Sequence, residues 1–295
     1  MSGALAPLAG AQALADLAVL SLDSPHSRRV YSMHLRRYIA TASELSRESV
    51  LRYLDWMREH AKRASTQNQA LAAIRLLVRE AECRGLIPAQ EAAAIRDIPV
   101  AKVKGVRAGH WLRPEQVQAI LKLPDPATFN GRRDLALLAL LLGTGIRRAE
   151  ASSLAWASLQ EREGRLCIVD LLGKGKRIRT IPVPDWSAEP LMRWREDPSR
   201  PQLARPDLVF GGLTDSGVYY VVRLYLAKMG MHGAPHDLRR TIARMLYRAS
   251  GQLDQVQLVL GHASIATTQR YLGADLKLAK GEAAIDKVRI EGEPQ

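Results

Sequence analysis

Apolar residues recur at helical spacing along nearly the whole chain, and one stretch alone breaks the pattern with strand-like runs. From about Ser27 to Ile39, the residues Val30, Met33, Leu35 and Tyr38 sit among basic neighbours. Val50, Leu51, Leu54 and Met57 repeat the spacing from about Glu48 to His60. Leu71, Ile74, Leu77 and Val78 do so again from near Ser65, with a stop close to Gly85. The first hundred residues therefore predict a small all-helical module. A chain of 295 residues exceeds one ordinary core, so a second domain is expected.

The pattern lapses between Pro99 and His110, where Lys102, Lys104, Gly105, Arg107 and Gly109 make a polar, basic connector over 101–110. Beyond it, over 111–295, Pro114 stands where a helix could begin, with Glu115 in its first turn. The exception to helix follows: Arg165–Asp170 and Arg177–Val183 read as two short strands around Gly173-Lys174-Gly175-Lys176, a hairpin. Helical patterns resume at about Ser187–Arg195, Asp215–Met229, Pro235–Arg248, Leu253–Leu260 and Ser264–Leu272. The expected fold class is mainly α with a small β-hairpin, divided at the connector into domains 1–100 and 111–295.

Charge narrows the function. Forty-three Lys and Arg against thirty Asp and Glu give a net +13, a balance suited to a polyanion, nucleic acid above all. Residues 101–186 hold 15 basic and 8 acidic side chains, the densest surplus in the chain. The longest apolar run, Leu135–Leu142, is far short of the roughly 20 residues that span a bilayer. The Ala/Leu-rich start lacks a basic lead and carries Asp16, unlike a secretory signal. Two cysteines, Cys83 and Cys167, argue against a disulfide framework or a thiolate metal site. The expected compartment is reducing cytoplasm, with the protein on DNA rather than on a membrane.

Four local patterns carry chemistry, and each has a plainer reading. In Thr144-Gly145-Ile146-Arg147-Arg148-Ala149-Glu150 an apolar helix ends at glycine, and Arg147 and Glu150 stand three apart, as an intrahelical ion pair also would. Gly173-Lys174-Gly175, followed by Lys176, Arg177 and Arg179, could deliver a lysine from a tight turn or simply solubilise a hairpin. Pro235-His236-Asp237-Leu238-Arg239-Arg240 places His236 and Arg239 at a helix start, a place for an anionic oxygen or for a structural pair. In Leu260-Gly261-His262, Gly261 ends one helix and Ser264 caps the next, with Tyr271 nine residues past His262. A helix-turn-helix DNA reader shares that outline.

Together the four patterns resemble the tyrosine recombinase (phage integrase) family. Its catalytic domain presents T-G-[LM]-R-x-x-E, a hairpin G-K-G, H-x-L-R, L-G-H and then a nucleophilic tyrosine, in that order. The matching positions here are Arg147, Lys174, His236 with Arg239, His262 and Tyr271, over about residues 110 to 275. Ile146 stands for the usual Leu or Met, and no catalytic group is missing. Residues 20 to 90 resemble the family's helical core-binding domain, most clearly at Thr66–Leu77.

The resemblance implies a two-domain clamp on DNA and a site-specific recombinase that cuts and rejoins through a 3′-phosphotyrosine on Tyr271. Arg147 and Arg239 are then the phosphate ligands and Lys174 the acid for the leaving hydroxyl. His236 and His262 share proton transfer and phosphate contact, and Glu150 orients them. Bond energy kept in the tyrosyl ester makes a metal, ATP or other cofactor unnecessary. Lys102, Lys104, Arg107, Lys176, Arg177, Arg179 and Arg240 are the candidate DNA contacts. The implied partner is a double-stranded recombination site bound by a dimer, two sites synapsing in a homo-tetramer. The same scheme leaves room for a partner recombinase or an accessory DNA-bending protein. Two other readings stay open from the residues: a non-catalytic sequence-specific DNA-binding protein, and a type IB topoisomerase-like swivelase.

Overall fold

The computed structural model describes residues 10–102, 110–173, 177–200, 203–262 and 264–272, and of Ala266, Arg270 and Tyr271 the backbone alone. The chain forms two compact units that divide between Gly105 and Val106, inside the connector.

The N-terminal unit holds five helices: α1 (Ala11–Leu20), α2 (Pro25–Thr41), α3 (Arg47–Glu59), α4 (Ala64–Cys83) and α5 (Ala89–Arg96). Their starts follow the cap rules. Ser24 accepts from the Ser27 amide ahead of Pro25, and Ser46 and Ser49 cap each other's amides at 3.2 Å. Helix α4 is the spine, burying Ala70, Leu71, Ile74, Leu77, Val78 and Ala81 along one stripe. Against it pack Leu35 and Tyr38 of α2, Leu54 of α3 and Ile95 of α5. The periodicity missed α1 and α5, whose runs of alanine give little contrast between faces.

The C-terminal unit is built on α7 (Phe129–Thr144), which buries residues all round and is preceded by α6 (Pro114–Leu121). Five-residue α8 (Arg148–Ser152) follows, then an antiparallel sheet of β1 (Leu159–Arg162), β2 (Arg165–Leu172) and β3 (Ile178–Pro182), in the order β1-β2-β3. The predicted hairpin is β2–β3. Strand β1 went unread because only Leu159 of its four residues is buried, so it has no alternation to show. Among the described residues five helices follow: α9 (Asp185–Arg195), α10 (Asp215–Lys228), α11 (Pro235–Ser250), α12 (Leu253–Leu260) and α13 (Ile265–Leu272). A small apolar cluster of Ile242, Ala243, Val256, Leu260 and Leu272 seats α12 and α13 on α11. Among the described residues no helix is long and apolar enough to cross a membrane.

Candidate active site

Of the predicted residues, Arg147, Arg239 and His262 come together at the C-terminal turn of α12. A helix leaves its last carbonyls without intrahelical donors, and that end carries partial negative charge. Here three consecutive carbonyls each receive a guanidinium from a different element. Arg179 of β3 donates from Nε to Val259 (3.2 Å), Arg239 of α11 from Nη2 to Leu260, and Arg147 from Nη2 to Gly261 (3.4 Å). Motifs 114 residues apart in sequence are thus joined by one helix end.

Two glycines make this approach sterically feasible. Gly145 ends α7 in the left-handed region (φ 64°), and a Cβ there would fall 2.6 Å from Ile242 and 2.9 Å from Leu260. Gly261 ends α12 the same way (φ 61°), and a Cβ would lie 2.8 Å from Cδ of Arg179. The Gly145 carbonyl, turned out by this geometry, receives Arg239 Nη1. Arg239 is 2% exposed, so its charge is held inside the protein by main-chain oxygens.

Glu150 is the hub for the other two guanidiniums. Its carboxylate accepts the Arg147 amide (2.7 Å) and Arg147 Nη1 (2.8 Å), and both oxygens take Arg179 (3.1 and 2.8 Å) in a bidentate pair. Burial pushes its pKa up, but the hydrogen bonds from Arg179 and Arg147 outweigh this and hold it below the ordinary carboxylate range. Arg147 precedes α8 as its N-cap residue instead of lying within a helix, so the pair is more than the intrahelical one the spacing allowed.

The sequence reading of Arg179 as a DNA contact does not match its placement. The side chain is 9% exposed and committed to Glu150 and the Val259 carbonyl. Strand parity is the signal that could have shown this, because Arg179 shares a face with the buried Ile181 two residues on. Among the remaining contact candidates, Lys102 and Arg177 are exposed, and Arg240 lies 3.8 Å from Asp237. Lys104, Arg107, Lys174 and Lys176 fall outside the described residues.

His262 is buried, its Nδ1 2.9 Å from the Thr268 hydroxyl on α13. Desolvation first, then Arg239, Arg147, His236 and Arg179, push its pKa down to about 4, so the imidazole is neutral at pH 7. His236 opens α11 on the solvent side, and desolvation followed by Arg239 and Arg240 lowers its pKa as well. It lines a hollow of about 360 Å³ with Arg147, Tyr219, Pro235 and Arg239. A second hollow of about 490 Å³ runs from Arg147 and Glu150 to Gly173 at the hairpin mouth. Arg147 borders both. The backbone of Tyr271 lies on α13, one turn past Thr268.

Residues 110–277 match the model of the phage integrase family. The chain belongs to that family. It is 30% identical over 283 residues to the tyrosine recombinase XerC of Xanthomonas campestris pv. campestris, covering 94% of this chain and 77% of the relative. Tyrosine recombinase XerA of Thermococcus kodakarensis is 28% identical over 256 residues, covering 84% of each. The solved XerH site-specific recombinase, in a post-cleavage complex with a palindromic difH substrate, shares the fold at TM-score 0.66 and 21% identity, over 83% of this chain and 75% of that one. As a tyrosine recombinase the chain is a DNA-cleaving and rejoining enzyme, mainly helical with a small antiparallel sheet, and its substrate is DNA.

Proposed function

We propose that Tyr271 is the nucleophile of a site-specific recombination reaction and that the groups around the α12 turn prepare a phosphodiester for it. The observation that carries this reading is the gathering of Arg147, Arg239 and His262 on one helix end. Tyr271 Oη attacks phosphorus, the bond from phosphorus to the 5′ oxygen breaks, and the 3′ phosphate becomes a tyrosyl ester. The departing oxygen takes a proton from Lys174, and the phenolic proton passes to His236. Arg147 and Arg239 neutralise the charge that builds on the non-bridging oxygens, the task to which a planar fork of donors is suited. His262, neutral at pH 7, donates a hydrogen bond to a phosphate oxygen instead of a full charge. Rejoining is the same exchange run by another 5′ hydroxyl, so the ester conserves the bond energy.

Strand exchange requires two cut sites held together, so we assign a dimer to each site and a tetramer to the synapse. The N-terminal helices, the 101–110 connector and Arg177 and Lys176 on the hairpin supply the non-specific phosphate contacts. The test is a pool of labelled, nicked duplexes with a randomised core. Wild-type protein should retain a selected duplex covalently in SDS. Tyr271→Phe should retain none while still shifting that duplex in a native gel. An undiminished adduct from Tyr271→Phe would overturn the assignment.

A further inference from the structure

The helix that carries Tyr271 is held just past that residue by a device separate from the phosphate-binding groups. Arg244 lies on α11, five residues past Arg239, and is only 8% exposed. Its Nη1 donates to the Leu272 carbonyl at 2.7 Å, one residue beyond Tyr271. Its guanidinium carbon sits 3.8 Å above the centre of the Trp111 ring. The Trp111 segment is itself tied to α11, because the Leu112 amide donates to the Thr241 hydroxyl at 2.8 Å. The Leu272 side chain is buried in the cluster of Ile242, Ala243, Val256 and Leu260.

These contacts bracket the nucleophile. One turn before Tyr271, Thr268 is joined to His262; one residue after it, Leu272 is joined to Arg244. A cation held at the Leu272 carbonyl fixes the backbone just past Tyr271 against the buried face of α11. Stacking on Trp111 fixes the plane of the guanidinium, so that it can reach Leu272 at a small further cost in entropy. Helix α11 then sets both sides of the reaction. Its start carries His236 and Arg239 toward the phosphate, and Arg244 fixes the nucleophile helix one residue past Tyr271.

We infer that Arg244, stacked on Trp111, is a positioning residue that sets the reach of Tyr271. The inference rests on the assignment of Tyr271 as nucleophile, and it predicts a loss in the rate of cleavage without a loss of DNA binding. A misplacement of about 1 Å far from the bond being broken can cost about 10²-fold in rate. The full-length variants Arg244→Met, Trp111→Leu and Trp111→Phe, and the Arg244→Met/Trp111→Leu pair, would be compared on the duplex selected by the wild type.

With duplex at saturation, Arg244→Met should form the covalent adduct about 10- to 100-fold more slowly, with its Kd for the duplex within about twofold of wild type. Trp111→Leu should be slowed less, Trp111→Phe should remain near wild type because it keeps an aromatic face, and the double variant should be no slower than Arg244→Met alone. Hydrogen exchange of peptide 265–272, in protein without DNA, should quicken in Arg244→Met while α7 stays protected. Wild-type adduct rates in a folded Arg244→Met, or unchanged exchange at 265–272, would overturn the inference. If the wild type itself forms no adduct, the nucleophile assignment has failed instead, and the exchange experiment alone decides whether Arg244 holds the helix.

Discussion

In the N-terminal unit no described arginine is buried: Arg52, Arg58 and Arg84 pair with Glu48, Asp55 and Glu80 one turn away along exposed helix faces, while half-buried Arg75 donates to the Arg96 and Ile98 carbonyls. The C-terminal unit has such pairs too, as at Arg193 and Glu189, but it also takes Arg239, Arg244 and the Arg179 side chain out of water. Burying a charge costs several kcal/mol unless the site satisfies it. Each of these three donates to main-chain carbonyls, Arg179 to Val259, Arg239 to Gly145 and Leu260, and Arg244 to Leu272, and Arg179 to Glu150 as well. A helical module can be stabilised by apolar stripes and surface charges alone. Arg200 is buried as well, against the Trp156 and Trp194 rings, but Arg179, Arg239 and Arg244 border the Gly261-His262 turn and the helix of Tyr271.

The contrast is tested most strongly at Arg179. Arg179→Met leaves the buried Glu150 carboxylate with Arg147 alone, and breaking a buried pair on one side costs about 3–5 kcal/mol. Denaturant unfolding should show that loss. Adding Glu150→Gln to Arg179→Met should restore a large part of it, because the uncompensated charge is gone. A loss below about 1 kcal/mol would place this pair in the class of surface pairs and remove the distinction between the two units.

Next comes the charge proposed to act on phosphate. Arg239→Lys keeps a positive charge but cannot donate to the Gly145 and Leu260 carbonyls in the fixed fork that Arg239 uses. Adduct formation should fall about 10²–10³-fold, equivalent to roughly 3–4 kcal/mol of barrier, as read by single-turnover trapping of the nicked duplex. A lysine variant that cleaves at the wild-type rate would show that the site needs charge alone and no fork.

Much of this difference was legible in the sequence, and what was not has physical reasons. Long amphipathic stripes such as Leu71–Ile74–Leu77–Val78 announce a helix because burial repeats every three or four residues. Gly145 and Gly261 announced helix ends because a left-handed cap favours glycine. The family motifs pointed to Arg147, Arg239 and His262, which meet at the α12 turn, but not to what would hold them together. Arg179 reads as a surface cation because it follows Lys176 and Arg177, and charge density in sequence does not reveal which face of a strand a residue occupies. The roles of Arg244 and Thr268 could not be read, because their partners, Leu272 and His262, are fixed by helix packing rather than by spacing. Strand β1 is held by hairpin pairing with β2 across Glu163-Gly164, and with only Leu159 buried it leaves no alternation to read.

Protonation sharpens the comparison further. The His262 pKa of about 4 lies below the ordinary value of 6.5 because burial and four cationic or imidazole neighbours disfavour its charged form. The unfolded chain therefore binds a proton that the folded unit refuses between these values. The stability this represents, on the order of 3 kcal/mol, is fully present above about pH 6.5 and is lost as pH falls toward 4. Glu150 adds loss in the same direction at still lower pH, as its depressed pKa is passed. His34 in the N-terminal unit is lowered too, first by burial, so both units weaken in acid. His262→Gln should flatten the fall in thermal stability between pH 6.5 and 4; an unchanged slope would assign the titration to other groups.

The smallest expected effect is at the surface of the N-terminal unit. Arg52 and Glu48 form an i,i+4 pair on α3 with side chains 79% and 71% exposed. Water screens the attraction, and two long side chains lose rotamer freedom in making it, so such pairs contribute about 0.3–0.5 kcal/mol. Arg52→Ala also gains a little helix propensity, which offsets part of that loss. Urea unfolding of the full chain should therefore place the variant within about 0.5 kcal/mol of wild type, and the small difference should shrink in high salt, where exposed charges are screened. A cost above 1 kcal/mol that persisted in salt would mean that this charge, like Arg179, is held by partners that exclude water, and the two units would then differ only in how many such charges each contains.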